Sequence, residues 1–268
     1  MDRAAYLERL GFHDALEPSA RTLAALHYAH LLSVPFENLD IHLGIPIVLE
    51  LDRLFRKIVL NRRGGFCYEL NGLFAALLAD LGFEVTLLSA RVVGEAVPLG
   101  PEFDHMALRV TCPADGDDVR WLCDVGFGDS FLTPLRLDDR GDQADERRAY
   151  RLEDEADHLW LWARGDDGRW NRQYRFTLIP RRLADFAPMC DFQQSSPSSP
   201  FTHKRVATRA TPDGRVTVRD NRLIVTTRGV KREEPIEHDA HFRALLLERL
   251  GLDLSNQAWQ PLLVLQSG

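Results

Sequence analysis

Apolar positions in the first eighty residues recur at helical spacing. Leu23, Leu26 and Leu31, with His27 and His30 on the same face, form one stripe. Val34-Pro35 ends it, because proline drives the residue before it out of the helical region. After Phe36-Glu37-Asn38-Leu39-Asp40 and a short Gly44/Pro46 turn, Asp52 to Leu60 suits a further helix. The strongest stripe follows Gly64-Gly65: Leu70, Leu73, Phe74, Leu77, Leu78 and Leu81 share one face, and Gly82 is placed to end the helix as its C′ residue. Cys67 then falls in or beside the first turn.

From Phe83 the period changes. Val85 to Leu88, His105 to Val110, Arg120 to Val125, Trp160 to Trp162 and Tyr174 to Leu178 are short, β-rich runs separated by Gly, Asp and Pro. They predict a curved antiparallel sheet or barrel. Asp138 to Asp157 is strongly acidic and reads as a solvated loop. Ser195-Ser196-Pro197-Ser198-Ser199-Pro200 reads as a connection into a last unit with strands at Val216 to Val218 and Leu223 to Thr226 and a helix from about Asp239 to Leu250. The expected organisation is therefore a helical unit over 1–83, a strand-rich unit over 84–190, and a connecting segment with a mixed unit over 191–268.

Composition narrows the function classes. A chain of 268 residues that is 45% hydrophobic is long enough for a sizeable core. With 33 basic against 40 acidic residues and a net charge of -7, neither nucleic acid nor an anionic membrane is the expected main partner. Charges at Asp2, Arg3, Glu8 and Arg9 interrupt any secretory signal. The four cysteines, Cys67, Cys112, Cys123 and Cys190, lack metal-site or dense disulfide spacing. A reducing, cytoplasmic setting with no metal and no tightly bound cofactor is expected.

One constellation carries chemistry. A thiol attacks as thiolate, and the N–H groups at a helix start favour that anion, which is where the pattern puts Cys67. Gly64-Gly65 permit a sharp turn and an open approach. His105 and Asp124 are linked by strand arithmetic. In an antiparallel hairpin turning near Ala114 to Gly116, paired positions sum to about 229 to 231, which places His105 opposite Asp124 to within two residues. An acid beside an imidazole fixes its tautomer and leaves the other nitrogen to take a thiol proton. Taken singly, each residue has a plainer explanation: a buried small hydrophobe for Cys67, a satisfied structural histidine for His105, a strand-end acid for Asp124. The joint register favours a Cys/His/Asp triad. Cys112 and Cys123 roughly face each other in the same hairpin and read as core thiols. His27, His30 and His42 show no ligand spacing, and Val125-Gly126-Phe127-Gly128 is too short to make a nucleotide loop.

Five segments, in order along nearly the whole chain, resemble the arylamine N-acetyltransferases: Val34-Pro35-Phe36-Glu37-Asn38-Leu39, Arg63-Gly64-Gly65-Phe66-Cys67-Tyr68-Glu69-Leu70-Asn71, Asp104-His105-Met106, Asp124-Val125-Gly126-Phe127-Gly128 and Ser196-Pro197-Ser198-Ser199-Pro200-Phe201-Thr202. The resemblance implies an α+β fold: an N-terminal helical bundle holding the cysteine, a central β-barrel supplying histidine and aspartate, and a C-terminal α/β lid, around a cysteine-protease-like catalytic core. It implies a ping-pong enzyme that moves acetyl from acetyl-coenzyme A through acetyl-Cys67 to arylamines, arylhydrazines or N-hydroxyarylamines. Phe36 and Phe127 would line the acceptor pocket, Gly126, Gly128, Phe192, Ser198 and Thr202 would lie near coenzyme A, and Arg63 would brace the catalytic loop. The family usually has His or Gln where this chain has Leu70, a position on the apolar stripe. The same triad also serves amide synthases and thiol hydrolases or transglutaminase-like enzymes, and homodimer formation stays open.

Overall fold

The computed structural model describes residues 1–94, 99–112, 119–145, 147–255 and 257–258. Helix α1 (Arg3–Leu10) is capped by Asp2, and α2 (Ala20–Ser33) by Ser19, which accepts the Thr22 N–H. Helix α2 stops at Val34, in extended backbone ahead of Pro35 as predicted. A two-residue strand β1 (Phe36–Glu37), short helices α3 (Leu39–Leu43) and α4 (Leu51–Phe55), and a π-helical turn at Arg56–Leu60 lead to α5 (Cys67–Asp80). Gly82 follows α5 with φ +92, the conformation expected of its C′ position. Leu70, Leu73, Phe74, Leu77 and Leu78 are all fully buried in a core shared with Leu23, Leu26 and Tyr6. Each such side chain contributes roughly 1.5–3 kcal/mol, so the α5 stripe is the chief anchor of the helix that begins at Cys67.

The second layer is an antiparallel sheet of eight strands in the order β5-β4-β3-β2-β9-β8-β7-β6. These are β2 (Glu84–Val92), β3 (His105–Thr111), β4 (Arg120–Cys123), β5 (Leu135–Arg136), β6 (Gln143–Ala144), β7 (Ala149–Glu155), β8 (His158–Arg164) and β9 (Trp170–Phe176). The sheet curls until its edges meet. The Gln143 side chain on β6 accepts the Arg136 N–H of β5 at 2.7 Å and donates to its carbonyl at 3.0 Å. Leu88, Ala90, Ala107, Leu122, Leu152, Leu161 and Phe176 fill the inside.

The acidic stretch, expected to be a loop, contains β6 and β7. Tyr150 and Leu152 alternate inward into the barrel core while Arg151 and Glu153 point out, so charge on one face masked a strand of period two. Helix α6 (Ala187–Ser195) and a 3₁₀ turn at Pro200–Thr202 flank the expected connection, whose residues 196–199 stay irregular. A five-stranded antiparallel sheet then forms, ordered β1-β10-β11-β12-β13, from β1 and from β10 (Val206–Thr211), β11 (Gly214–Arg219), β12 (Arg222–Thr227) and β13 (Val230–Pro235). Helix α7 (Asp239–Leu250) packs Phe242, Leu245, Leu246 and Leu250 onto it. Phe36 and Glu37 pair with Thr208 and Ala207, so the N-terminal region supplies an edge strand to the C-terminal sheet. Among the described residues no helix is long and apolar enough to cross a membrane.

Candidate active site

Cys67 is the first residue of α5 and is 5% exposed. The loop before it is wedged in place. A Cβ on Gly64 would lie 2.0 Å from the Pro35 carbonyl oxygen, and one on Gly65 would meet the Glu69 carboxylate at 2.7 Å. Both glycines are therefore required by close approach, and the Glu37 N–H donates to the Gly65 carbonyl at 2.8 Å across that contact. Glu69 Oε2 accepts the Phe66 N–H at 3.1 Å, satisfying one of the free donors at the helix start.

A buried charge network holds the loop from behind. Arg63 donates to Glu37 Oε1 from Nε at 3.0 Å and to Asp40 Oδ1 from Nη2 at 2.7 Å, while Lys57 Nζ reaches Asp40 Oδ2 and Glu69 Oε1, both at 2.8 Å. Burial pushes the Glu69 carboxyl up to about 7, with Lys57 opposing the shift. For Arg63, burial works against the charge and Glu37 and Asp40 more than restore it.

His105 opens β3, and Asp124 follows β4 immediately. The register pairs Leu108 with Cys123 and Arg109 with Leu122, a sum of 231, within the predicted range. Cys123 thus faces Leu108 and not Cys112, although both cysteines sit in the same core cluster. The turn expected near Ala114 to Gly116 lies outside the described residues. His105 Nε2 is 2.7 Å from Asp124 Oδ2, with both side chains buried. Burial alone would raise the Asp124 carboxyl, but His105, the Asn71 amide and the Gly126 N–H together hold it below its ordinary value. Asn71 Nδ2 donates to Asp124 Oδ1 at 3.0 Å and to the Met106 carbonyl at 2.6 Å, and its Oδ1 accepts the Val125 N–H at 3.0 Å. Helix α5, which begins at Cys67, and the strand ends bearing His105 and Asp124 are thereby tied at one residue.

Two contacts bring Cys67 to that pair. Met106 packs in the same small core as Cys67, and a Cβ on Gly126 would lie 2.8 Å from Cys67 Cα. Burial pushes the thiol well above its ordinary range, the nearby Met106 backbone opposes the shift, and Asp104 and Asp124 add to it. Burial thus opposes the thiolate that the helix start favours.

Phe127 meets the His105 ring edge-on with centroids 5.2 Å apart, and Tyr174 packs against both rings at 5.2 Å. Phe36, Phe127 and Gly128 share the inner wall of a cleft of about 930 Å³ between the barrel and the C-terminal sheet. Its sides carry Arg147, Arg148, Arg215, Arg219, Arg228 and Lys231. Asp129 aligns three of these: Arg215 at 3.1 Å, Arg148 at 3.0 Å and Arg147 at 3.6 Å. Of the other expected site residues, Gly126 packs on Cys67, and Phe192, Ser198 and Thr202 do not line this cleft. Phe192 and Ser198 are exposed, and the buried Thr202 hydroxyl donates to the Ser196 and Ser199 carbonyls. Among the described residues no group of three or more His, Cys, Asp or Glu side chains is placed to hold a metal ion.

The family described as N-acetyltransferase matches residues 19–259. An arylamine N-acetyltransferase of Mycolicibacterium smegmatis is 38% identical over 263 residues, covering 96% of this chain and 94% of its own length. The chain belongs to the arylamine N-acetyltransferase family. Among solved structures, the arylamine N-acetyltransferase from M. tuberculosis matches with a TM-score of 0.88 at 36% identity, covering 94% of both chains. That of Mycobacterium marinum in complex with CoA gives 0.87 at 34% identity, covering 94% of this chain and 93% of its own. Membership makes the chain an acetyltransferase, and the α+β fold expected from the sequence is that of its relatives.

Sequence reasoning missed Asn71, His27 and the cleft arginines as parts of this region. Asn71 had a legible signal, a polar residue one helical turn after Cys67 inside an apolar helix. The arginines come from three separate segments, the β6–β7 loop, β11 and the β12–β13 turn, and had none.

Proposed function

We propose that this acetyltransferase works by a ping-pong route in which Cys67 carries the acetyl group, His105 moves the protons and Asp124 orients and charges the imidazole. The observation that carries the reading is the buried 2.7 Å His105–Asp124 contact on the segment whose Gly126 packs against Cys67. With Nε2 committed to Asp124, Nδ1 of His105 is the nitrogen left for the thiol. Cys67 gives its proton to Nδ1 as the sulfur attacks the thioester carbonyl of acetyl-coenzyme A. The Asp124 carboxylate offsets the imidazolium charge in a site too dry to do so by solvation. The carbon–sulfur bond of the donor breaks, and coenzyme A leaves with the proton from His105. An arylamine, arylhydrazine or N-hydroxyarylamine then attacks acetyl-Cys67, His105 accepts the nitrogen's proton, and the thiol is restored. Backbone N–H groups at Cys67 or its neighbour suit the oxyanion.

The cleft supports the choice of donor. Six cationic side chains around a channel ending at Phe127 and Phe36 suit a ligand with phosphates at one end and an acyl group at the other. Such a donor matches the CoA bound by the M. marinum relative. The aromatic walls favour a flat acceptor and keep water from acetyl-Cys67. Intact-mass spectrometry after incubation with acetyl-coenzyme A alone tests the reading. An acetyl adduct on Cys67, absent in Cys67→Ala and discharged by an arylamine, is expected. Acetyl transfer retained by Cys67→Ala overturns it.

A further inference from the structure

His27 lies within α2, fully buried, with both ring nitrogens engaged. Nδ1 is 2.9 Å from the Leu132 carbonyl oxygen, and Nε2 accepts the Asp124 backbone N–H at 3.1 Å. A carbonyl only accepts and an amide N–H only donates, so the proton sits on Nδ1 and the ring is a neutral bridge. Burial, which drives this imidazole down to about 4, keeps it so at neutral pH. The ring stacks on Phe131, with centroids 5.6 Å apart and planes 9° from parallel, and meets Phe74 of α5 edge-on.

The two groups that His27 bridges are the first N–H and the last carbonyl of the segment from Asp124 to Leu132. That one segment carries the carboxylate on His105, Gly126 against Cys67, Phe127 on the imidazole edge, and Asp129 among the cleft arginines. We propose that His27 is a positioning residue for acetyl transfer, stapling both ends of the Asp124–Leu132 segment to α2 so that the carboxylate stays aligned with His105. The inference rests on the reading of Asp124 as the partner of the base. Asn71 fixes the Asp124 side chain from α5, and His27 fixes its backbone from the opposite element. Without the imidazole, a donor and an acceptor are orphaned in a dry interior, and the segment has to move to satisfy them. The carboxylate and Phe127 move with it.

The test compares His27→Leu, which fills the space without hydrogen bonds, with His27→Gln, which offers one donor and one acceptor at similar reach. Steady-state acetyl transfer across pH and thermal unfolding are measured for both, with Asp124→Asn in parallel. His27→Leu is expected to lose about ten- to hundred-fold in kcat/KM, mainly in kcat, with the acid limb of its pH profile displaced. His27→Gln is expected to stay within about three-fold of the parent and keep its profile. A purely structural histidine lowers the melting temperature and moves neither kcat nor the profile. A folded His27→Leu with parental kcat and pH profile overturns the proposal, as does an equal loss in both variants. If His27→Leu does not fold, His27→Asn, too short to span both groups, takes its place against His27→Gln on the same readouts. Parental activity in Asp124→Asn refutes the triad itself, whereas an inactive Asp124→Asn beside a normal His27→Leu refutes the staple alone.

Discussion

Alanine at position 126 isolates the spacing between the nucleophile helix and the segment that carries the carboxylate. Gly126 does not have a positive φ, so alanine fits its backbone and the effect of the added methyl is steric. That methyl would meet Cys67 Cα at 2.8 Å, the Cys67 carbonyl at 3.0 Å and Asn71 Nδ2 at 2.7 Å. Two of these are backbone atoms of a helix anchored by five buried apolar side chains, and the third is an amide held by three hydrogen bonds, so none of them yields cheaply. Ordinary contact starts at 3.4 Å and the nearest atom would be at 2.7 Å, so the Gly126 side must retreat by about 0.7 Å. Overpacking of this kind costs about 1–3 kcal/mol in stability. The catalytic loss is larger in proportion, because a shift approaching 1 Å between reacting groups costs on the order of a hundred-fold. Gly126→Ala should therefore fold, melt a few degrees lower, and lose between ten- and a hundred-fold in kcat/KM for acetyl transfer. Mass spectrometry should also find acetyl-Cys67 forming more slowly. Parental kcat/KM in a variant confirmed by sequencing would show that the close approach of Gly126 to Cys67 is not needed for chemistry. Gly128 is the contrast: its φ of +91 strains any side chain, yet the nearest atom to a Cβ there, on Phe36, is at an ordinary 3.7 Å, so its penalty is conformational.

Arg63→Met strands Glu37 and Asp40 in the interior beside one remaining cation, a change that costs about 3–5 kcal/mol, so chemical denaturation should show a stability loss of that order, and a loss below about 1 kcal/mol would refute the bracing role. Acid should destabilise the fold through His27, whose ordinary value of 6.5 is lowered to about 4 by burial. Its contribution is complete above pH 6.5 and is lost as pH falls towards 4, because the unfolded chain binds a proton there that the folded chain refuses, about 3 kcal/mol in all. Urea titrations between pH 7 and 4 should show that slope flattened in His27→Gln, and identical slopes would refute it.

The nucleophile helix and the pairing of histidine with aspartate were legible in the sequence because both are local. An apolar stripe of period 3.6 decides which face of α5 is buried, and two glycines ahead of it decide that Cys67 begins the helix. A hairpin of alternating residues fixes which positions oppose each other, which is why His105 was expected beside Asp124 before any coordinates. Tertiary structure alone decided what depends on distant partners. Phe36 and Glu37 became an edge strand because Ala207 and Thr208, some 170 residues on, were there to pair with them. Tyr150 and Leu152 needed a closed barrel to face inward, and their acidic neighbours hid the alternation. Burial opposes the thiolate that the helix start favours at Cys67, and it turned His27 from a polar residue on an apolar face into a bridge. Periodicity records which face of an element is dry. Which groups meet there, and at what desolvation cost, is settled only when segments remote in sequence close on one another.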